Sequence, residues 1–292
     1  MKHIILIIAL LSIYAQTFGQ SQFSQDPLHA KFVTHDYDNF WEQFDKLDSI
    51  SGNPFEAYLD NASPGLKPYV GYFHADSLHQ FVLKRKSDYL KSRPVLKGLP
   101  ATKKKIQASY SALKYWYPEA TFPPIYFVMG MFSVGGTVSE NGLLIGSEKL
   151  KNLDGLHALV SHELIHFQQK YTGSNNLLNQ SIKEGSADFL GELISGEHIN
   201  TNAFKYGNEH EEELCKEFVT VMLTENYDDW LYGTTGKDDR PNDLGYWIGY
   251  KITEAYFNKH ENKHEAISHI LNIHDPELFL KESEYLKRYI RK

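Results

Sequence analysis

Hydrophobic residues recur at helical spacing in three stretches of the first part of the chain. Between Asp36 and Leu47 they share one face with polar residues between them, which predicts an amphipathic helix. A second helix is predicted over 77–92, after a turn-forming cluster at 61–68. A third is predicted over 101–117, where four apolar side chains lie on one side: Ile106, Tyr110, Leu113 and Tyr117. These stripes are most simply explained as core.

The pattern changes after the pair of prolines at 123–124. Residues 125–131 form a β-branched, apolar run that is typical of a buried strand. Residues 137–145 predict two short strands around an Asn141-Gly142 turn. Helical periodicity returns from Leu150 and continues to the end. The sequence therefore predicts an α+β fold that is mostly helical, with a small mixed or antiparallel sheet.

The first residues have the pattern of a secretory signal peptide. Lys2 and His3 precede an apolar run over 4–15, and a more polar stretch ends near Gly19. We therefore predict a signal peptide at 1–19 and a secreted or periplasmic protein. No later segment approaches eighteen consecutive apolar residues, so no stable membrane insertion is expected.

Composition narrows the classes of partner and the source of stability. The net charge is -7 and the 30 basic residues are scattered, which makes nucleic acid a poor partner. Cys215 is the single cysteine, so no intramolecular disulfide can form and stability must come from a packed core. Proline and glycine over 94–100 predict a linker between an N-terminal helical region, 20–100, and a second region, 101–292.

An HExxH pattern lies in a run of helix formers with apolar neighbours. It comprises His162, Glu163 and His166. Residues four apart are neighbours on one helical face, so both imidazoles can share one tetrahedral zinc ion. Glu163, one position round the helix, is placed to act on a water as a general base.

The same pattern occurs a second time at His260 to His264. Its interior residues are Asn262 and Lys263, and charged or polar residues flank it. Nothing there excludes water from a metal ion. We interpret this copy as a solvated helix end or loop.

A third ligand follows the first copy. Glu184 lies at an interval that fits a helix, a turn and a second helix packing back on the first. The small side chains of Gly185 and Ala187 are expected to let the second helix approach closely. Asp188, four residues after Glu184, shares its face and is predicted to hydrogen-bond the outer nitrogen of a zinc-bound histidine.

The HExxH motif followed by the Glu-Gly-Ser-Ala-Asp segment at 184–188 resembles the gluzincin clan of metallopeptidases. More narrowly, the chain is similar to the predicted zinc-dependent proteases of Bacteroidetes-type bacteria, relatives of a gliding-motility lipoprotein. The likeness extends through 39–41, 63–66 and 243–250. Unlike those lipoproteins, the chain has no cysteine near the end of the apolar leader.

The resemblance implies a zincin-like catalytic region over 101–292 and an N-terminal region that covers the substrate cleft. It implies one zinc per chain, held by His162, His166 and Glu184. A peptide or protein substrate would then be hydrolysed with Glu163 as the general base.

Four further residues are candidates for the site. Tyr246 or Tyr250 is expected to stabilise the oxyanion, because gluzincins commonly use a downstream tyrosine or histidine; aromatic core packing is the alternative for each. Arg240 is a candidate to bind a substrate carboxylate, with a surface salt bridge as the alternative. Gly136, in a predicted edge strand, suits a close approach of substrate backbone, unless it is only a turn residue.

Two rival functions are also compatible with the sequence. One is a non-catalytic zinc-binding protein, and the other is a cell-envelope assembly protein built on a zincin fold. Retention of Glu163 counts against a purely structural zinc site, since such a site needs no base.

Overall fold

The computed structural model describes residues 23–72, 74–232 and 240–290. The signal peptide predicted at 1–19 lies outside these ranges. Helices make up most of the described chain. They are α1 (His35–Phe44), α2 (Phe55–Asp60), α3 (Ala75–Lys84), α4 (Lys86–Ser92), α5 (Leu99–Trp116), α6 (Leu156–Gln168), α7 (Leu177–Ser195), α8 (Thr201–Glu209), α9 (Glu211–Val221), α10 (Leu244–Lys259), α11 (Lys263–Leu271) and α12 (Pro276–Ser283).

A four-stranded mixed sheet lies before α6. Its strands are β1 (Phe32–Val33), β2 (Ile125–Val128), β3 (Gly136–Ser139) and β4 (Gly142–Gly146), in the order β1-β2-β4-β3. β1 and β4 pair with β2 in parallel, and β3 pairs antiparallel with β4. The α+β class, the helical majority and the small mixed sheet are therefore confirmed.

The elements largely follow the hydrophobic pattern. Helix α2 was not predicted, β2 ends at Val128 and not at 131, and two other elements also differ. The single helix predicted over 77–92 is two helices, because the backbone leaves helical geometry at Arg85 (φ -117, ψ 25). Strand β1 has only two residues and was not predicted. Two strands flank a tight turn as predicted, but the turn residues are Glu140 and Asn141, and Gly142 begins β4 with a positive φ of 143 that favours glycine.

Opposite faces of the sheet are covered by different parts of the chain. Helix α6 packs under β3 and β4. On the other face, α1 contacts β2, and Gly65 lies against the ring of Tyr126. Because β1 pairs with β2, residues before 101 also contribute to the sheet itself. The division of the chain at residue 101 stays a prediction.

Helix α7 is packed between α6 and α10, and glycines set the distances. A Cβ added at Gly249 would lie 1.7 Å from the Ser181 carbonyl oxygen, and one at Gly185 would lie 2.5 Å from the Gly249 Cα. Gly185 therefore serves the contact with α10, and the expectation that it brings α7 close to α6 is wrong. Gly191 faces α6, with its added Cβ 3.3 Å from the backbone nitrogen of His162.

No helix within the described residues is both long enough and apolar enough to cross a lipid bilayer.

Candidate metal centre

Two helices bring three potential ligand atoms together. His162 and His166 lie one turn apart on α6, and their Nε2 atoms are 3.0 Å apart. Glu184, on α7, places its Oε2 atom 2.9 Å from Nε2 of His166 and 3.6 Å from Nε2 of His162. Ligands at about 2.0–2.1 Å from a tetrahedral zinc are separated by roughly 3.3 Å. The donor set and its spacing therefore fit one zinc ion.

Asp188 contacts the outer nitrogen of His162, at the position where the sequence predicted it. Its Oδ1 lies 2.7 Å from Nδ1 of His162, and its Oδ2 accepts a hydrogen bond of 2.6 Å from the Asn200 amide. A proton on Nδ1 that is donated to the carboxylate leaves the Nε2 lone pair directed at the ligand cluster.

The outer nitrogen of His166 has a partner that the sequence did not reveal. Gln169 places its Oε1 2.8 Å from Nδ1 of His166. Its amide nitrogen donates to the Lys183 carbonyl at 2.8 Å and to the Ser186 hydroxyl at 3.0 Å. These two bonds to α7 fix the amide with its oxygen toward the imidazole. No motif distinguishes a glutamine at the C-terminal end of α6 from an ordinary polar residue.

The second oxygen of Glu184 is held by groups from outside the motif. Its Oε1 accepts hydrogen bonds from the Tyr232 hydroxyl at 2.5 Å and from the Gln180 amide at 3.1 Å. Tyr232 has a positive φ of 54, and its backbone N–H donates to Oδ1 of Asp243 at 3.0 Å. Because Oε1 is occupied in this way, Oε2 is the oxygen that faces the histidines.

Burial and charge act in opposite directions on the cluster. Burial alone would lower the pKa of His162, but its contacts with Asp188 and Glu184 raise that pKa well above the ordinary value. Burial alone would raise the pKa of Glu184, but His166 and His162 hold it well below the ordinary value. Burial raises the pKa of Glu163, against the effect of the same histidines. Of Glu163 and Glu184, Glu163 is the one whose environment favours taking up a proton.

Glu163 lies between the ligand cluster and the edge strand. It is 5% exposed, and a Cβ added at Gly136 of β3 would lie 2.4 Å from its Oε1 atom. The backbone of β3 thus touches the carboxylate, and any side chain at Gly136 would displace it. Gly136 lies within a strand and not in a turn.

The two candidate tyrosines of α10 have different surroundings. The ring of Tyr246 is stacked near that of His162, with centroids 6.0 Å apart. The Tyr250 hydroxyl instead donates to Glu192 at 2.9 Å, and its ring packs edge-on against Phe189. Of the two, Tyr246 lies beside the ligand cluster.

Arg240 is bonded within the protein. Its Nη1 lies 2.9 Å from a Glu217 carboxylate oxygen, its Nε donates to the Asp229 carbonyl, and its guanidinium lies over the Trp230 ring. The residue is 7% exposed. Arg240 therefore forms an ion pair, but its side chain is buried and not at the surface as the alternative to substrate binding had it.

The second HExxH copy does not form a cluster. His260 follows the end of α10 and its Nδ1 is 2.7 Å from the Tyr256 carbonyl oxygen, whereas His264 lies in α11 against the Trp116 ring. Since α10 ends before His260, the helical spacing that would align the two imidazoles is absent. Among the described residues, the group of three or more potential ligands is the one formed by His162, His166 and Glu184.

These features define a candidate zinc site of the HExxH type with a glutamate from the following helix as third ligand. The chain belongs to the family described as "Predicted Zn-dependent protease (DUF2268)", whose model matches residues 128–278, more than half of the chain. The matched segment contains β3, α6 and α7, and therefore all three candidate ligands. No curated protein matches the chain significantly.

We predict that the purified protein binds about one zinc per chain, because one cluster has the required donors. Replacing His162 and His166 with alanine should abolish this binding. The matched control replaces His260 and His264 with alanine and should leave the stoichiometry unchanged. Metal content measured by atomic emission after dialysis checks both results. Loss of zinc in the control would show that the second HExxH copy, and not the first, binds the metal.

Replacing Asp188 with asparagine should weaken zinc binding by roughly 10- to 100-fold, the usual effect of removing a carboxylate that orients a ligating histidine. The Asn200 contact and the shape of the side chain are retained, so the fold should persist. Competition with a chromophoric chelator measures the affinity. If the variant binds zinc as tightly as the unmodified protein, Asp188 contributes to helix packing and not to zinc affinity.

Proposed function

We propose that the protein is a zinc-dependent peptidase of the gluzincin type, acting on peptide or protein substrates outside the cytoplasm. The observation that carries the proposal is the position of Glu163, whose buried carboxylate lies between the His-His-Glu cluster and the backbone of β3. Zinc bound by His162, His166 and Glu184 would polarise the scissile carbonyl and make a nearby water more acidic. The leader pattern at 1–19 supports the extracytoplasmic location.

Glu163 supplies the proton transfers. Its carboxylate accepts a proton from the attacking water and then delivers it to the leaving amine. Burial raises the pKa of Glu163 toward neutral pH, and a general base is most effective when its pKa lies near the working pH. A structural metal site requires no such group, so the placement of Glu163 favours catalysis over the two non-catalytic alternatives.

Strand β3 supplies the surface on which the substrate is aligned. The Gly135 carbonyl oxygen accepts a hydrogen bond from the Gly146 N–H. In an antiparallel pair, every second residue of a strand forms hydrogen bonds with the neighbouring strand. The next residue, Gly136, therefore has its backbone N–H and C=O directed away from β4. An extended peptide can add to this edge by main-chain hydrogen bonds. Its backbone would then pass next to the Glu163 carboxylate.

Two tyrosines complete the proposed site in different roles. We assign oxyanion stabilisation to Tyr246, which lies beside His162. Burial raises the pKa of Tyr246, so its phenol stays protonated and can donate. Tyr232 positions Glu184 through the hydrogen bond to Oε1.

Replacing Glu163 with glutamine should lower turnover by at least roughly 10²-fold, because the amide cannot accept the proton. Zinc content should stay near that of the unmodified protein. The measurement is cleavage of an unbiased peptide library by both proteins, with metal analysis on the same samples. Zinc-loaded protein that cleaves no better than this variant would refute the peptidase and favour the zinc-binding or envelope-assembly function.

Replacing Gly136 with alanine should lower turnover by roughly 10- to 100-fold, because the added methyl group occupies the position of the Glu163 carboxylate and misplaces it. Zinc binding should be retained. The control is Gly135→Ala, since a Cβ at that neighbouring glycine meets no atom within 4 Å. Equal rates for the two variants, measured on one peptide substrate, would show that the contact with Glu163 has no catalytic consequence.

A further inference from the structure

A cavity lies on the face of the sheet opposite the candidate metal ligands. Its volume is about 330 Å³, at the lower end of the range for ligand pockets. Alternation along β3 explains the location, since Gly136 faces Glu163 and the next residue, Thr137, lines this cavity. Val128 and Leu144 of the sheet also line it, together with Leu66 from the N-terminal region. We name it the β3 chamber.

The chamber also includes a buried carboxyl group, that of Glu148. This residue is 5% exposed, and its Oε1 accepts the Phe132 N–H at 3.1 Å. Its Oε2 has no hydrogen-bond partner among the described residues. Gly130 and Gly146, which both line the chamber, lie against the two oxygens; their added Cβ atoms would be 3.1 Å from Oε1 and 3.5 Å from Oε2. Burial raises the pKa of Glu148, and backbone hydrogen bonds together with the charge of Lys149 offset only part of that rise.

The chamber adjoins the edge proposed to receive the substrate. Tyr69 lines it and also donates its hydroxyl to the Val138 carbonyl oxygen at 2.8 Å. Like the backbone groups of Gly136, that carbonyl points away from β4. Tyr69 therefore covers the free edge of β3 at Val138 and leaves the backbone of Gly136 available for pairing. Side chains of a peptide paired there alternate between the two faces. Some therefore point to the metal side and their neighbours to the chamber.

We propose that the β3 chamber is a subsite for a lysine or arginine side chain of the substrate, with Glu148 binding its cationic end. The assignment of a peptide as the ligand rests on the proposed function. The apolar lining suits the aliphatic stem, and the unpartnered Oε2 requires a donor at the end. A shorter or purely apolar side chain would leave that oxygen unsatisfied, whereas an ammonium or guanidinium group forms a charge-assisted hydrogen bond.

The first test measures binding without catalysis. n-Butylguanidinium has the stem and the cation, and 1-pentanol has the stem alone. Chemical shifts of the protein methyl groups, followed by NMR, should show that the guanidinium binds to the chamber at least roughly 10-fold more tightly than the alcohol.

Three variants locate the binding. Glu148→Gln should reduce guanidinium affinity by roughly 10-fold or more while its amide oxygen retains the bond to Phe132. Thr137→Phe should block the chamber, and a phenylalanine is well tolerated in a strand. Glu140→Gln, at an exposed acidic residue in the β3–β4 turn, is the control and should bind as the unmodified protein does. Undiminished binding in Glu148→Gln, or no binding to the unmodified protein, would overturn the proposal.

The second test separates the subsite from the proposed function. In a peptide library, cleavage should favour lysine or arginine at one fixed position from the scissile bond. Glu148→Gln should lose this preference, whereas the Glu140→Gln control should keep it. Cleavage with no basic preference would overturn the subsite and leave the peptidase standing. If guanidinium binding depends on Glu148 but the protein cleaves no peptide, the chamber is still a cation-binding pocket and the proposed peptidase activity is wrong.

Discussion

The position of α7 between two other helices is the constraint on which the candidate site depends. Glu184 can share a metal ion with His162 and His166 only if the helix axes are held to within a fraction of an ångström, since the ligand bonds are about 2 Å long. That precision comes from close contacts between helix backbones at glycine positions, where no side chain separates them. Gly185 meets Gly249 backbone to backbone on one side, and Gly191 meets the backbone of His162 on the other. The site geometry is therefore a property of the packed core more than of the ligands themselves.

Local geometry explains which parts of the site were predictable. The pairing of His162 with His166 follows from helical spacing, and the placement of Asp188 follows from that of Glu184 by the same rule. Gln169 and Tyr232 were missed because their roles depend on where a helix end and a distant loop come to rest; Tyr232 is 48 residues from Glu184 in the chain. Arg240 and Tyr250 have chemistry suited to an active site, but their partners were decided by tertiary packing, which placed each against a glutamate elsewhere.

Long helices of the fold were predictable from the sequence, but short elements and helix breaks were not. The long periodic segment of α5 was predicted almost to its ends, because several turns of helix carry the pattern. Strand β1 has two residues and no alternation to detect, and its existence depends on the parallel partner supplied by β2. The break between α3 and α4 falls at Arg85, where no proline or glycine marks it. The two sides of the sheet also differ in chemistry, because the candidate metal ligands lie on the helices that cover one side and the Glu148 carboxyl lies on the other.

The hydrogen bond between Tyr69 and Val138 has a consequence for the behaviour of the protein in concentrated solution. An exposed strand edge is a template for association with other chains, and proteins limit that risk by covering or interrupting it. Here a phenol occupies one outward carbonyl of β3 and leaves a short open stretch beside Gly136. A stretch of that length can align a single peptide segment but is too brief to seed a continuous intermolecular sheet. The covering residue therefore lets the edge stay accessible to a ligand without becoming a site of aggregation.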